Sequence, residues 1–207
     1  VIKQKNWLLK NKGKKENIAL WNEVIVSHSF DIIKIRLKAV EILIEEIIAR
    51  FNNIDIDMLE QLSYKYVFTN LDIDDICDYK EQIRKKLEES IEKEINIGHC
   101  IVGPHRDDYF LTLQDKSIQT YQSRGINRIF ALLFKFAQLR LLGEKTNNKP
   151  ILLIDDAFIE LDKKYKERLV TLAEKELKFF YTTVTEEDKN IFDNCRIMNM
   201  SEGIITG

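Results

Sequence analysis

Ile151-Leu152-Leu153-Ile154-Asp155-Asp156 is a run of four apolar residues closed by two carboxylates, with Leu161-Asp162 shortly after it. A continuous apolar run of this length reads as a strand of a parallel sheet, buried on both faces. Pro150 opens it, at the first position of a strand, where a residue without an N–H is tolerated. Acids at the C-terminal edge of such a strand stand where open α/β sheets bind their ligands. In a Walker B strand one carboxylate there serves a nucleotide-bound Mg²⁺ and a second serves the attacking water.

The segments on either side fit an α/β architecture. Ser123-Arg124-Gly125 opens a strongly apolar helix through Ile129, Phe130, Leu132, Leu133, Phe134 and Phe136, with Gly143 as its expected close. Being apolar on most faces, it is expected to lie buried against a sheet. Asp162 is placed to cap a helix running to about Lys178, and 179–184 reads as a second apolar strand. Thr185-Glu186-Glu187-Asp188 has the outline of a capping box for a short helix. Residues 196–200, a turn at Ser201-Glu202-Gly203 and Ile204-Ile205 read as a closing hairpin, and 109–113 with 117–121 as another.

The earlier part of the chain has a different texture. Ile33, Leu37, Val40, Ile44, Ile47, Ile48 and Phe51 recur every three or four residues, the stripe of a long helix that Asn52-Asn53 ends. Leu62, Tyr64, Tyr66 and Phe68 alternate as in a strand. Tyr79, Ile83, Leu87, Ile91 and Ile95 mark a second helix, and Gly98 stands where a cap glycine belongs. Asp72, Asp74, Asp75 and Asp78 lack the glycine and terminal glutamate of a calcium loop and read as a solvated turn. Residues 1–97 are thus expected to form a mainly helical arm, and 98–207 an α/β lobe.

With 207 residues and a formal net charge of −2, the chain is not a uniformly basic nucleic-acid binder. It does carry a local basic segment, Lys3, Lys5, Lys10, Lys12, Lys14 and Lys15, before the first acid at Glu16. That segment reads either as a solvated terminus or as a phosphate-backbone contact. Cys77, Cys100 and Cys195 are too far apart for a C-x-x-C site and read as free thiols of a cytoplasmic protein. No apolar stretch is long enough for a membrane span. None of the seven glycines opens the G-x-x-x-x-G-K-[ST] pattern that wraps nucleotide phosphates. The reading therefore expects a phosphate-binding half, with its Walker A element, to lie upstream of Val1.

Taken together the motifs resemble the RecF family of ABC-type ATPases. Val102-Gly103-Pro104-His105-Arg106-Asp107-Asp108 is similar to that family's VGPHRDD block, and Ser123-Arg124-Gly125-Ile126-Asn127-Arg128 to its S-Q-G-Q-[QK]-R signature. Residues 152–162, LLIDDAFIELD, resemble its Walker B and D-loop, LLLDD-x-x-SELD. Gln4-Lys5-Asn6-Trp7-Leu8-Leu9-Lys10 and Leu20-Trp21-Asn22-Glu23 look like its QRN-x-LLK and LWDE pieces. The pieces occur in the family's order along nearly the whole chain, and the family's P-loop lies upstream of the QRN piece. An arm of about a hundred residues is also far shorter than the coiled coils of SMC and RecN proteins.

The resemblance implies the C-terminal half of an ABC-type head with an arm before it. It assigns Mg²⁺, held through water, to Asp155 and activation of the attacking water to Asp156. Ser123, Gly125 and Arg128 would meet ATP bound to the partner head of an ATP-dependent homodimer, and Asp162 would be the D-loop acid. It further implies single- and double-stranded DNA, RecO- and RecR-type mediators and RecA as partners, and a slow switch-type ATPase in the complete protein. Arg124, Ile126 and Asn127 depart from the signature, and Ile159 replaces the D-loop serine. The motifs name no DNA-contacting residue.

Overall fold

The apolar stripe of the long helix starts well before Ile33. Ile18, Ile25 and Val26 are as buried as Ile33 and Ile47, and α2 runs unbroken from Lys15 to Arg50. The structure is a computed structural model that describes every residue except 52, 53, 55, 58, 70, 72–75, 159, 160, 186, 187, 189, 190, 193, 194 and 207; for 176 and 201 it describes the backbone alone. Asn52-Asn53, the acids Asp72, Asp74 and Asp75, Ile159 and Glu186-Glu187 therefore lie outside the described residues. The described residues pack as two compact units, Val1–Ile42 with Ser63–Thr112 and Leu43–Leu62 with Leu113–Gly207.

In the first unit α1 (Ile2–Lys10) packs on α3 (Tyr79–Ile97). The core is Leu9, Ile18, Ile25, Val26, Ile33, Tyr79, Ile83, Leu87, Cys100 and Val102. Full burial of an aliphatic side chain contributes about 1.5–3 kcal/mol, so this cluster outweighs the surface ion pairs around it. The spacing of four from Tyr79 to Leu87 buries one face of α3, and Gly98 ends the helix at φ 74°. There its N–H reaches the carbonyl of Glu94 at 2.8 Å, a left-handed cap that favours glycine. β1 (Leu62–Val67) is the strand expected from the alternation, and it lies beside β2 (Asp108–Leu113).

The hairpin expected after β2 is only partly formed. Gln114 and Asp115 turn the chain at φ 52° and 59°, but β3 is just Lys116-Ser117 before the short helix α4 (Ile118–Tyr121). Ile118 is buried to 2 %, and its burial in helical form overrides the alternation of 117–121.

In the second unit α5 (Arg124–Thr146) buries Ile129, Phe130, Leu132, Leu133, Phe134, Phe136 and Ala137, with Phe51 tilted against Phe136 at 6.4 Å. It does not close at Gly143; Asn147, at φ 51°, is its left-handed cap. β4 (Ile151–Asp155) and β5 (Lys178–Thr182) pair in parallel, Asp155 opposite Thr182, and α6 (Lys163–Glu176) connects them and packs on β5. α6 ends short of Lys178, which already belongs to the strand. The hairpin of β6 (Asn199–Ser201) and β7 (Ile204–Thr206) turns at Glu202-Gly203 as expected.

The apolar run of β4 is not buried on both sides here. Leu152 and Ile154 are covered, whereas Ile151 and Leu153 are 52 % and 75 % exposed, together with Phe180 at 56 %. Leu169, Val170 and Ala173 of α6 are buried as well, while the other face of β4 is open. No helix among the described residues is long and apolar enough to cross a membrane.

Candidate functional site

The C-terminal end of β4 delivers both acids to the surface. Asp155 is the last residue of the strand and shares its exposed face with Ile151 and Leu153. Asp156 follows in a left-handed turn, φ 47°, a conformation that aspartate adopts more readily than most residues. That turn breaks the strand's alternation, so two consecutive carboxylates both reach solvent. Thr182 ties the pair to β5. Its hydroxyl donates to Asp155 Oδ1 at 2.5 Å, and its carbonyl accepts the Asp156 N–H at 3.4 Å. Of the three threonines at this strand end, Thr182, Thr183 and Thr185, it is Thr182 that reaches the acid pair.

Thr183 and Thr185 turn to another acid that sequence reasoning assigned to a helix cap. Asp188 is 1 % exposed. Its Oδ2 accepts from Tyr181 at 2.6 Å, Thr183 at 2.8 Å and Thr185 at 3.0 Å, while Oδ1 lies 3.0 Å from Lys166 Nζ of α6. Burial works to raise the carboxyl's pKa, but the bonds from Tyr181, Thr183, Lys166 and Thr185 together outweigh it and hold the pKa at about 2. Tyr181 is itself pushed well above the ordinary phenol range, first by burial and then by its bond to Asp188. Its ring lies between Phe158 and Phe192, at 5.0 and 5.4 Å. The Thr–x–x–Asp spacing is the signal that pointed here, but the two side chains bond to each other instead of capping backbone.

At the start of α5, Ser123 is the N-cap, accepting the Ile126 N–H at 3.3 Å. Gly125 and Arg128 lie in the first turns behind it. A helix N-terminus with unpaired N–H groups favours anions. Asp162 occupies the N-cap position of α6, yet its side chain makes no capping bond; the backbone carbonyl alone receives Tyr165 and Lys166. Its carboxylate is exposed.

The 102–108 block sits in the first unit; Val102, Gly103 and Pro104 are buried, whereas His105, Arg106 and Asp108 are exposed. His105 Nε2 and Arg106 both reach the Cys100 carbonyl, at 3.2 and 3.4 Å. Asp107 accepts the Thr69 N–H at 2.9 Å and the Tyr66 hydroxyl at 3.2 Å, and Arg36 binds the Pro104 carbonyl. Burial pushes the His105 pKa down and the Asp107 carboxyl up. Gly103, at φ 131°, packs against the His105 ring and Ile25, where a side chain would be strained. These side chains hold backbone, the role of a shaped loop.

Lys5 leaves the basic segment altogether. It is fully buried, 2.6 Å from Glu94 Oε2 and 3.4 Å from Cys100 Sγ. Lys3, Lys10, Lys12, Lys14 and Lys15 remain exposed.

A parallel strand tipped by two acids, behind a helix that opens on Ser-x-Gly, defines the class: this is the C-terminal lobe of an ABC-type ATPase head, carried with a mainly helical arm. No family model matches the chain. Within the class the relatives it matches are RecF proteins. The DNA replication and repair protein RecF of Ruminiclostridium cellulolyticum is 32 % identical over 193 residues, 90 % of this chain and 51 % of that protein. The RecF of Clostridium perfringens is 31 % identical over 208 residues, 99 % of this chain and 56 % of the relative. A solved structure of the recombination mediator protein RecF-ATPrS in the RecFOR pathway is 25 % identical, with a TM-score of 0.71 over 99 % of this chain and 55 % of that one. A second, of RecF-ATP, shares the fold at a TM-score of 0.69 and 23 % identity. The chain thus spans a little over half the length of the relatives it matches.

Proposed function

We propose that this chain supplies the acid pair and the signature helix of a RecF-like, ATP-dependent DNA-binding protein of recombinational repair and replication-fork maintenance. On this reading the complete protein recognises gapped single-strand/duplex DNA, works with RecO- and RecR-type mediators and assists RecA loading, with ATP acting as a slow switch. The observation that carries it is the Asp155-Asp156 pair at the β4 edge, braced by Thr182, in a chain with RecF relatives along its length.

The residues fit the metal that this chemistry needs. Among the described residues no cluster of three or more acids, histidines or cysteines could cage an ion. Mg²⁺ commonly takes one or two carboxylates and completes its shell with water and substrate phosphates. Asp155 would hold it through water; when bound, the ion would neutralise phosphate charge. Asp156, exposed beside it, would orient or deprotonate the attacking water. Ser123, Gly125 and Arg128 would meet the nucleotide of a partner head across an ATP-dependent homodimer, with Asp162 near that interface.

The test is a chimera with the N-terminal part of the Ruminiclostridium cellulolyticum relative fused ahead of Val1. MgATP should promote its dimerisation and its binding to gapped DNA, and Asp156→Asn should prolong the ATP-bound dimer. A folded chimera that binds no ATP sinks the reading. DNA binding indifferent to ATP would favour a second one, a head kept only for DNA or partner contact. That alternative is motivated by Arg124, Ile126 and Asn127 in the signature.

A further inference from the structure

We propose that Asp188 is a positioning residue for the acid pair, acting through Thr182. Side chains alternate along a strand. Tyr181 and Thr183 therefore point to one side of β5 and Thr182 to the other, as their burial confirms: the two neighbours are half-buried and Thr182 is exposed. A single oxygen of Asp188 binds both neighbours, at 2.6 and 2.8 Å. Pinning the residues before and after Thr182 on the inner side fixes the backbone between them. The Thr182 hydroxyl is thereby presented to Asp155, and its carbonyl to the Asp156 N–H.

Two further features suit Asp188 to this task. Three hydroxyls on Oδ2 and the Lys166 ammonium on Oδ1 are all donors, so a carboxyl proton would have no acceptor there and the geometry suits the ionised carboxylate. Lys166 supplies the counter-charge from α6, and α6 is the helix that links the two strands. Thr185 extends the clasp beyond the strand: its hydroxyl binds Asp188 and its N–H donates to Thr183 Oγ1 at 3.1 Å. The clasp thus spans the strand end, the loop after it and the crossover helix, all gathered on one buried acid. Partners that orient a metal-binding carboxylate from outside typically change affinity about 10–100-fold when removed.

The inference rests on the metal role of Asp155 only for its consequence; the clasp can be tested without it. In the 207-residue chain, amide exchange at Asp156 reports the Thr182 carbonyl bond, and paramagnetic broadening by Mn²⁺ alone reports metal at Asp155 and Asp156. Asp188→Asn should speed Asp156 exchange about tenfold and weaken the Mn²⁺ effect about tenfold. Thr182→Val should weaken Mn²⁺ equally, and adding Asp188→Asn to it should change nothing more. Thr183→Val, which leaves Asp188 and Lys166 paired, should shift both readouts in the same direction if Asp188→Asn does not fold. Lys166→Met should lower the melting temperature and leave both readouts in place. Unchanged Asp156 exchange in the folded Asp188 and Thr183 variants, or equal shifts in Lys166→Met, overturns the proposal. Absence of Mn²⁺ broadening in the unmodified chain would remove the metal reading instead, and the exchange data would still decide the role of Asp188.

Discussion

Glu94 in the first unit and Asp188 in the second are both buried carboxylates facing a lysine, and they are built in opposite ways. Glu94 has one charged partner, Lys5, which α1 brings to it, and one backbone donor, the N–H of Ile101. Asp188 has one charged partner and three hydroxyls, two of them on residues that flank Thr182. The first joins α1, α3 and the loop at Cys100. The second is local and sits directly behind the acid pair. Loss of Lys5 takes from Glu94 its counter-charge in an apolar core, whereas loss of Lys166 leaves Asp188 three hydroxyl donors.

Breaking the sparse pair should therefore have the largest effect. Lys5→Met leaves Glu94 in an apolar core without a counter-charge, which costs about 3–5 kcal/mol. Urea unfolding should show that loss. Lys5→Met with Glu94→Gln should recover more than half of it, because the uncompensated charge is gone. Equal losses in the single and double variants would mean that packing of the lysine stem, and not charge, holds α1 on α3.

The richer cluster should fail by acid. Its folded pKa, about 2, lies below the unfolded value of 3.8. The stability it contributes is thus fully present above pH 4 and is lost as pH falls towards 2. A shift of that size corresponds to about 2 kcal/mol. Thermal melts between pH 5 and pH 2 should show a steeper acid decline for the unmodified chain than for Asp188→Asn. Parallel curves would assign the acid sensitivity to other carboxylates.

A smaller effect is expected where α3 leaves Glu94. Gly98 adopts φ 74° and donates to the Glu94 carbonyl, so Gly98→Ala should cost about 1 kcal/mol, measurable as a shift of the urea midpoint. Were Gly98→Ala neutral, the helix end would not help to place Glu94.

The contrast between the two carboxylates also marks the limit of what periodicity and motif can reveal. α3 and its cap glycine, β1, the closing hairpin and the acid-tipped strand were all legible, because each is written in local spacing. Lys5 was not: in the sequence it is one of six lysines before the first acid, and only packing of α1 on α3 removes it from solvent. Asp188 was half legible. Its spacing from Thr185 reads as a cap, but the use of the same residues to grip Tyr181 and Thr183 depends on the path of β5. The open face of β4 was hidden for a related reason, since an apolar run does not say which of its sides is covered within a given chain.

Lys15 and Glu92 sharpen the first comparison from the other end. They join the start of α2 to α3, two residues before Glu94, with the same pair of residue types as Lys5 and Glu94. Their side chains are 61 % and 70 % exposed, against 0 % for the buried pair. Water already solvates both charges, and closing the pair restricts two long side chains, so the contact is worth at most about 1 kcal/mol. Lys15→Ala should shift the urea midpoint little, and the shift should vanish in high salt, where exposed charges are screened. Lys5→Met should remain as damaging in salt as without it, because its partner is out of reach of mobile ions. If both variants lost their effect in salt, Glu94 would have to be accessible to solvent, and its contrast with Asp188 would reduce to the number of partners alone.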